Sequence, residues 1–173
     1  LSRTSDTTSV NTPATKLTEV RRLTRLLEDL TPHSRGSMTR RSEETISSGS
    51  PPLDRLLPQA GWPRGSLVEG RSEEPGSGAA TLALVAASEA HAAGGAVIVI
   101  DRTGTFYPPA AAAWRLDLAS TIVVHPQSEK DEHWAIDQSL RCEHAAAVLA
   151  WPRRLDDRTF RRLQLAAEST GAL

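Results

Sequence analysis

Residues 81–100 read TLALVAASEAHAAGGAVIVI, and this stretch decides the fold class. Its first part, from Thr81 to about Ala93, is built of alanine and leucine, which lose little backbone or rotamer freedom in a helix. Gly94-Gly95 then stops the helix where a left-handed cap is wanted. Ala96-Val97-Ile98-Val99-Ile100 is apolar at every position instead of at alternate ones. A strand of that kind is covered on both faces, as in a parallel sheet. The pattern recurs downstream. Helical residues near 109–118 lead to Thr121-Ile122-Val123-Val124, and a helix over about 130–142 leads to Ala146-Ala147-Val148-Leu149-Ala150. A last helix starts near Asp156, a good N-cap, with Asp157 favoured at the positive end. Strands alternating with helices of about 10 to 15 residues predict a parallel α/β sheet.

Upstream, residues 1–14 are rich in serine and threonine with no apolar period, and are expected to be a disordered tail. Within 15–31, Leu17, Val20, Leu23, Leu27 and Leu30 recur at helical spacing, with Arg21, Arg22 and Arg25 on much of the remaining surface. This amphipathic helix, ended by Pro32, would cover the domain's own core or dock on a neighbouring protein, offering a route to oligomers through residues 17–30. The polar stretch 32–45 has the composition of a linker. The core is expected from residue 46 to 173, beginning with a turn and short helical segment over Ser48–Leu57, a turn cluster at Gly61–Gly65, and a short strand at Ser66–Gly70.

The 173 residues suffice for one domain with a tail. A net charge of -1, from 20 basic and 21 acidic residues, gives no global field toward nucleic acid or membrane. Aromatics make up 4% and alanine dominates the apolar share, so each core residue buries little area and modest stability is expected. The single cysteine, Cys142, excludes an internal disulfide framework and suits a reducing cytoplasmic setting. No apolar run approaches the roughly 20 residues of a membrane helix. The chain opens on Leu1 instead of Met, as a fragment or a non-standard start codon would.

The loop Glu69-Gly70-Arg71-Ser72-Glu73-Glu74-Pro75-Gly76-Ser77-Gly78-Ala79-Ala80-Thr81 lies between the expected strand and a helix N-terminus, as a phosphate-binding P-loop does. Such a loop curls main-chain N–H groups around phosphates, with a lysine on the β/γ oxygens and a hydroxyl on Mg²⁺. Gly78 fits the last glycine, but Ala79 stands at the lysine position, Ala80 at the hydroxyl and Glu73 at the first glycine. Glu73 and Glu74 would repel a triphosphate by about 1 kcal/mol per contact even at water's dielectric constant. On the motif alone, an ordinary βα loop is the better reading. Thr81 could replace the hydroxyl only by a shift of one residue.

Residues 46–171 as a whole resemble the ImuA family, RecA-like accessory proteins of mutagenic translesion DNA synthesis in bacteria. The resemblance lies in Ile46-Ser47-Ser48-Gly49, Leu53-Asp54-Arg55-Leu56-Leu57-Pro58 and Gly61-Trp62-Pro63-Arg64-Gly65-Ser66-Leu67-Val68-Glu69. It continues in Trp134–Arg141, in Ala147-Val148-Leu149-Ala150-Trp151, and in Arg161-Arg162-Leu163-Gln164-Leu165-Ala166-Ala167-Glu168. It implies a RecA-like P-loop NTPase core and a role in assembling a damage-tolerant polymerase in the SOS response. Against RecA itself, the catalytic glutamate's place falls on Thr103, beyond Ile100-Asp101, and the Walker B aspartate's on Ala150 or Trp151. Lysine, Mg²⁺ ligands and water-activating acid are thus missing together, which implies a pseudo-ATPase without a cofactor. The resemblance also implies that a strand starting at Gly171-Ala172-Leu173 belongs between the Walker B and P-loop strands, so the core is expected to be incomplete at its C-terminal end.

Partners implied by the resemblance are a RecA filament or components of an error-prone polymerase, with DNA contacted directly or through them. Arg153, Arg154, Arg158, Arg161 and Arg162 form the most basic cluster, a candidate contact for DNA phosphate or an acidic partner, with a solvated helix face as the plainer account. The alternative to an adaptor is a nucleotide-binding RecA-class repair or recombination protein in which Gly76, Ser77, Gly78 and Thr81 hold ATP and Mg²⁺ without a lysine. A nonfunctional gene fragment is the third reading. His125, His133, His144 and Cys142 have no paired-ligand spacing and are expected as surface or helix-end residues without metal. Asp101, at a strand's C-terminal end, is either functional or a turn cap. Trp62 and Trp151 are expected to pack near that end of the sheet.

Overall fold

The computed structural model describes residues 45–71, 74 and 76–173. The expected tail, the amphipathic helix 17–30 and nearly all of the linker lie outside the described residues. Three parallel strands form the sheet: β3 (Ala96–Ile100) in the middle, flanked by β4 (Thr121–Val124) and β5 (Ala145–Ala150). Ile98 pairs with Ile122 on one side and Val148 on the other. The strands that the apolar runs predicted are therefore present, in the parallel arrangement that their continuous hydrophobicity requires.

Successive side chains of a strand point to opposite faces, and β3 uses both. Ala96, Ile98 and Ile100 pack on one face against Ala135, Ile136 and Leu140 of α4 (Glu129–Leu140) and Leu163, Ala166 and Ala167 of α5 (Asp157–Thr170). Val97 and Val99 pack on the other face with Leu84, Ala87 and Ala90 of α2 (Ala79–Ala92) and Ala111 of α3 (Pro108–Ala113). The result is a three-layer α/β/α sandwich. A short helix, α1 (Pro51–Asp54), completes the helical elements and carries Pro51 at its first turn, where a missing N–H costs nothing.

Glycine is required at residue 95. Its φ is +103°, and a Cβ there would lie 2.7 Å from the carbonyl oxygen of His144. The chain thus enters β3 pressed against the start of β5.

The structure departs from the sequence expectations at two places. Ser66–Gly70 is not a strand, because no neighbouring strand supplies its ladder. Instead the turn cluster contributes β2 (Trp62–Pro63), paired antiparallel with β1 (Thr45–Ile46), through Ile46 and Trp62. The helix expected near 109–118 ends at Ala113. Arg115 takes a left-handed conformation (φ 68°), and a 3₁₀ turn at Leu118–Ser120 leads into β4, with Asp117 accepting from the amide of Ala119. At the end of the chain, where the resemblance implied that a strand starts beside β5, the sheet gains a short extension. The Leu173 amide donates to the Ala146 carbonyl at 3.1 Å, and the Val148 amide donates to the Leu173 carbonyl at 2.8 Å. Both bonds to one residue from positions two apart are the signature of parallel pairing, here opposite Ala147.

The ends of the elements are closed by side chains. Ser128 caps α4 and Asp156 caps α5, accepting from the amides of Asp131 and Thr159. Asp54 accepts from the Ser48 amide at 2.8 Å and the Ser47 hydroxyl at 2.7 Å, which ties α1 to the segment before it. Asp101, only 2% exposed, accepts from the amides of Thr105 at 3.0 Å and Phe106 at 2.9 Å. Its burial works against the ionised form, but the amides of Phe106, Thr105 and Gly104, together with His125, hold the carboxyl below its ordinary range. Of the two roles open to it, Asp101 therefore fills the cap.

Two outcomes follow. Asp101→Ala leaves the two amides without their acceptor and is expected to lower unfolding stability by about 1–3 kcal/mol at neutral pH. Because the folded-state pKa is depressed, the wild-type advantage is present above about pH 4 and fades as pH falls through the lowered folded value. Urea titrations of both proteins at pH 7 and near pH 3 should converge at the acid end. Leu163→Ala, at a site 1% exposed between α5 and the sheet, is expected to cost about 2–5 kcal/mol in the same assay.

Candidate functional site

The loop before α2 carries two glycines in left-handed conformations. Gly78 caps the helix in the left-handed region (φ 92°), and Gly76 is likewise positive at 86°. Among the described residues, nothing lies within 4 Å of where a Cβ would stand on either glycine. Gly78 is needed for its conformation, since a side chain at that φ is strained whatever room it has. The Leu82 amide donates to the Gly78 carbonyl at 2.9 Å, which begins the helical ladder. The N-cap residue, Gly78, offers α2 no side chain, and no acidic residue stands in the helix's first turn. The amides of its first turn therefore retain the positive end of the helix dipole.

The side chains on this backbone are those of a different chemistry. Ala79 and Ala80, which the sequence reading set at the lysine and hydroxyl positions of a P-loop, bring only methyl groups to the first turn of α2. Thr81 is half-buried in the first turn of α2, and Ser77 is exposed. Arg71 is turned to Glu69, with Nε 3.0 Å from Oε1 and an Nη nitrogen 3.2 Å from Oε2. That pairing firms up the protonation of the guanidinium, through the hydrogen bond first and the charge of Glu69 second. β5 ends at Ala150, followed by the 39% exposed Trp151, the two positions to which the sequence reading assigned the Walker B aspartate.

Carboxylates at the C-terminal ends of the strands have other duties. Asp101 caps a turn, as described. Glu132, 2% exposed, receives the Arg102 Nε at 2.8 Å and fastens the end of β3 to α4. Thr103 shares a hydrogen bond with Thr105 at 3.1 Å.

Gly76, Ser77, Gly78 and Thr81 are thus brought together at one helix N-terminus. The arginine cluster belongs elsewhere: α2 covers one face of the sheet and α5 the other. Arg153 and Arg154 are exposed in the loop after β5, and Arg158 and Arg161 are exposed on α5. Arg162 differs from the rest, because its Nε lies 3.4 Å from Asp137, which also takes Arg141 at 3.1 Å. It joins α5 to α4. Arg161 donates to Gln164 at 3.0 Å. Of the histidines, His125 shares a hydrogen bond with the Asp101 carbonyl at 2.8 Å, joining the ends of β4 and β3, and His133 of α4 shares one with the Arg154 carbonyl at 3.1 Å, in the loop after β5.

The sequence did not disclose a groove of about 720 Å³ beside this loop. Its walls include Leu67, Ser77 and Gly78 on the loop side, Leu82 and Ala86 of α2, and Val148 of β5. The signal for it was dispersed, since the lining comes from segments far apart in the chain. Trp62 lines it also, half-buried, whereas Trp151 stays on the surface. Among the described residues no group of three or more potential metal ligands comes together, and no helix is long and apolar enough to cross a membrane.

With this geometry in hand, comparison with known proteins is informative. The sequence model of the RecA N-terminal domain family matches residues 33–147. Protein RecA of Thermosynechococcus vestitus is 37% identical over 106 residues, which cover 61% of this chain and 29% of that protein. Protein RecA of Trichodesmium erythraeum is 35% identical over 106 residues, with the same 61% and 29% coverage. Protein RecA of Chlorobaculum parvum is 39% identical over 85 residues, covering 49% of this chain and 24% of that protein. The chain spans less than a third of the length of these curated relatives. Among solved structures, SulA from Pseudomonas aeruginosa superposes with a TM-score of 0.53 at 16% identity, over 64% of this chain and 93% of that one. At that identity the likeness concerns the fold alone. The sequence match, the three-layer parallel core and the glycine-capped loop before α2 agree: this chain belongs to the RecA N-terminal domain family.

Proposed function

We propose that this chain is a non-catalytic RecA-like adaptor of the bacterial DNA-damage response, working in the cytoplasm through protein partners. The observation that carries this reading is the mismatch at the head of α2. The left-handed glycines and open helix N-terminus of a phosphate cradle are present, while Ala79, Ala80 and Ala150 stand where its chemistry requires an ammonium, a hydroxyl and a carboxylate. ATP hydrolysis by this family's route needs its metal and its attacking water positioned by such groups. A fold kept without them retains its surfaces, and surfaces recruit partners.

The resemblance to the ImuA family supports assistance to translesion synthesis, with a RecA filament or an error-prone polymerase as the partner. Exposed Arg153, Arg154, Arg158 and Arg161 supply a face for an acidic protein surface or for DNA phosphates. Arg162 is left out of that contact set, because it is spent on Asp137.

A second reading is favoured by one observation, the left-handed Gly76 and Gly78 with no described residue within 4 Å of a Cβ on either. There a nucleotide would be held by main-chain amides with Ser77 and Thr81, and the chain would act as a nucleotide-binding repair or recombination protein. Calorimetry with Mg²⁺-ATP separates the two. The adaptor reading expects no heat of binding for the wild type and micromolar binding for the Ala79→Lys, Ala80→Thr double variant. Micromolar binding by the wild type would replace it with the nucleotide-binding reading.

A further inference from the structure

Residues 103–114, Thr-Gly-Thr-Phe-Tyr-Pro-Pro-Ala-Ala-Ala-Ala-Trp, contain no charged side chain, yet most of them are at the surface. In α3 only Ala111 is buried, while Pro108, Pro109, Ala112 and Ala113 are exposed. Tyr107 stands at one end of the helix, 66% exposed, and Trp114 at the other, 47% exposed. Leu118, in the 3₁₀ turn that follows, is exposed as well. Single apolar residues on a surface are ordinary, but a continuous stretch of them marks a face that something covers. This face is held at both ends. Asp101 accepts from the Thr105 and Phe106 amides, and the Ser88 hydroxyl of α2 donates to the Arg115 carbonyl at 2.9 Å. Both ties come from the described core, so the face keeps its shape without a cover.

Prolines and alanines give α3 a low outer surface between two aromatic ends. A second helix can approach such a surface closely, with its large side chains lodged beside the methyl groups. One segment of this chain outside the described residues has the complementary pattern, with Leu17, Val20, Leu23, Leu27 and Leu30 at helical spacing. Val20 and Leu27 are seven residues apart, as are Tyr107 and Trp114, and seven residues of helix span about 10 Å. The connection is short. Thr45 begins β1, and Ile46 packs in the same apolar cluster as Ala111 of α3 and Leu116. The chain therefore enters the described core on the side of the sheet where α3 lies. As a coil, residues 31–44 span about 20 Å, and a tether of that reach gives an effective concentration on the order of 1 mM. Charge favours the same seat. On the α5 side, which also exposes Phe160 and Leu165, Arg21, Arg22 and Arg25 would meet the exposed Arg153, Arg154, Arg158 and Arg161. Residues 103–118 carry one cation and one anion, Arg115 and Asp117.

We propose that the outer face of α3, between Tyr107 and Trp114, is the seat of residues 17–30 of the same molecule, folded back as an amphipathic helix. Its leucine stripe lies on the alanines and its arginines stay in solvent. The contact is intramolecular, because the tether outcompetes a second copy at concentrations below its own effective one. The sheet does not depend on this cover, so releasing it bares an aromatic-edged apolar face and leaves the core folded. Neither nucleotide nor DNA enters the contact, which therefore stands or falls apart from the adaptor reading.

Hydrogen exchange on the full chain, read residue by residue at dilute protein, tests the contact from both sides. In the wild type the amides of residues 21–30 should be protected. The Leu23→Asp, Leu27→Asp variant should lose that protection and should also speed exchange of the Trp114 and Arg115 amides by about tenfold or more, with β3 unchanged as the report of an intact core. The Tyr107→Ser, Trp114→Ser variant, altered only at exposed positions, should speed exchange over residues 21–30 by about tenfold or more. Phe160→Ser with Leu165→Ser, on the other side of the sheet, should leave those amides as they were. Free exchange of residues 21–30 in the wild type would overturn the proposal. So would α3 amides indifferent to the altered stripe, or a stripe indifferent to the loss of Tyr107 and Trp114, or one released by the change on α5. Protection of residues 21–30 that rises with protein concentration would do the same, assigning the stripe to a second copy of the chain.

Discussion

Everything in this domain hangs on β3. A strand with partners on both edges and helices on both faces has no surface left for water, and each of its five residues is buried. At roughly 25 cal/mol per Å² of apolar surface, such a strand is the largest concentration of hydrophobic driving force available to a chain this poor in aromatics. The requirement then propagates outward. Odd positions select the residues of α2, even positions those of α4 and α5, and the strand ends fix where Asp101 and Glu132 must stand to satisfy main chain and guanidinium at the rim.

The same strand explains how much of the fold was legible. An uninterrupted run such as Ala96–Ile100 has few physical interpretations, and a pair of glycines before it removes most of the rest. Where a feature depended on a neighbour, local reading failed. Ser66–Gly70 has the composition of a strand, but a strand is a relation between two segments, and no segment among the described residues pairs with it. β1 and β2 pair over two residues each, too short for any period to register. The break at Arg115 arises because the chain must turn into β4, a demand that no residue at 109–118 announces.

The candidate site divides along the same line. Gly78, between an expected strand and an expected helix, was visible in sequence, and its backbone has the conformation such a loop needs. The meaning of Arg162 was not visible, because Asp137 lies on another helix and only packing brings the two together. The groove was hidden for a similar reason. It is a product of what α2, Ser66–Gly70 and β5 leave between them, and no one of these segments carries its outline.

The two faces of the sheet also differ in how they are built, and they should have evolved under different rules. On the α2 side Val97 and Val99 meet Leu84, Ala87 and Ala90, so the helix contributes mostly methyl groups and approaches the sheet closely. Such a contact resists growth: each added methylene must push two rigid elements apart. On the α4 and α5 side, where Ile98, Ile100, Leu140 and Leu163 interlock, the contact resists loss, since each removed methylene leaves a void. Lineages of this chain would therefore keep small residues on one face and large ones on the other, and drift in side-chain volume would be confined to opposite directions across a single sheet.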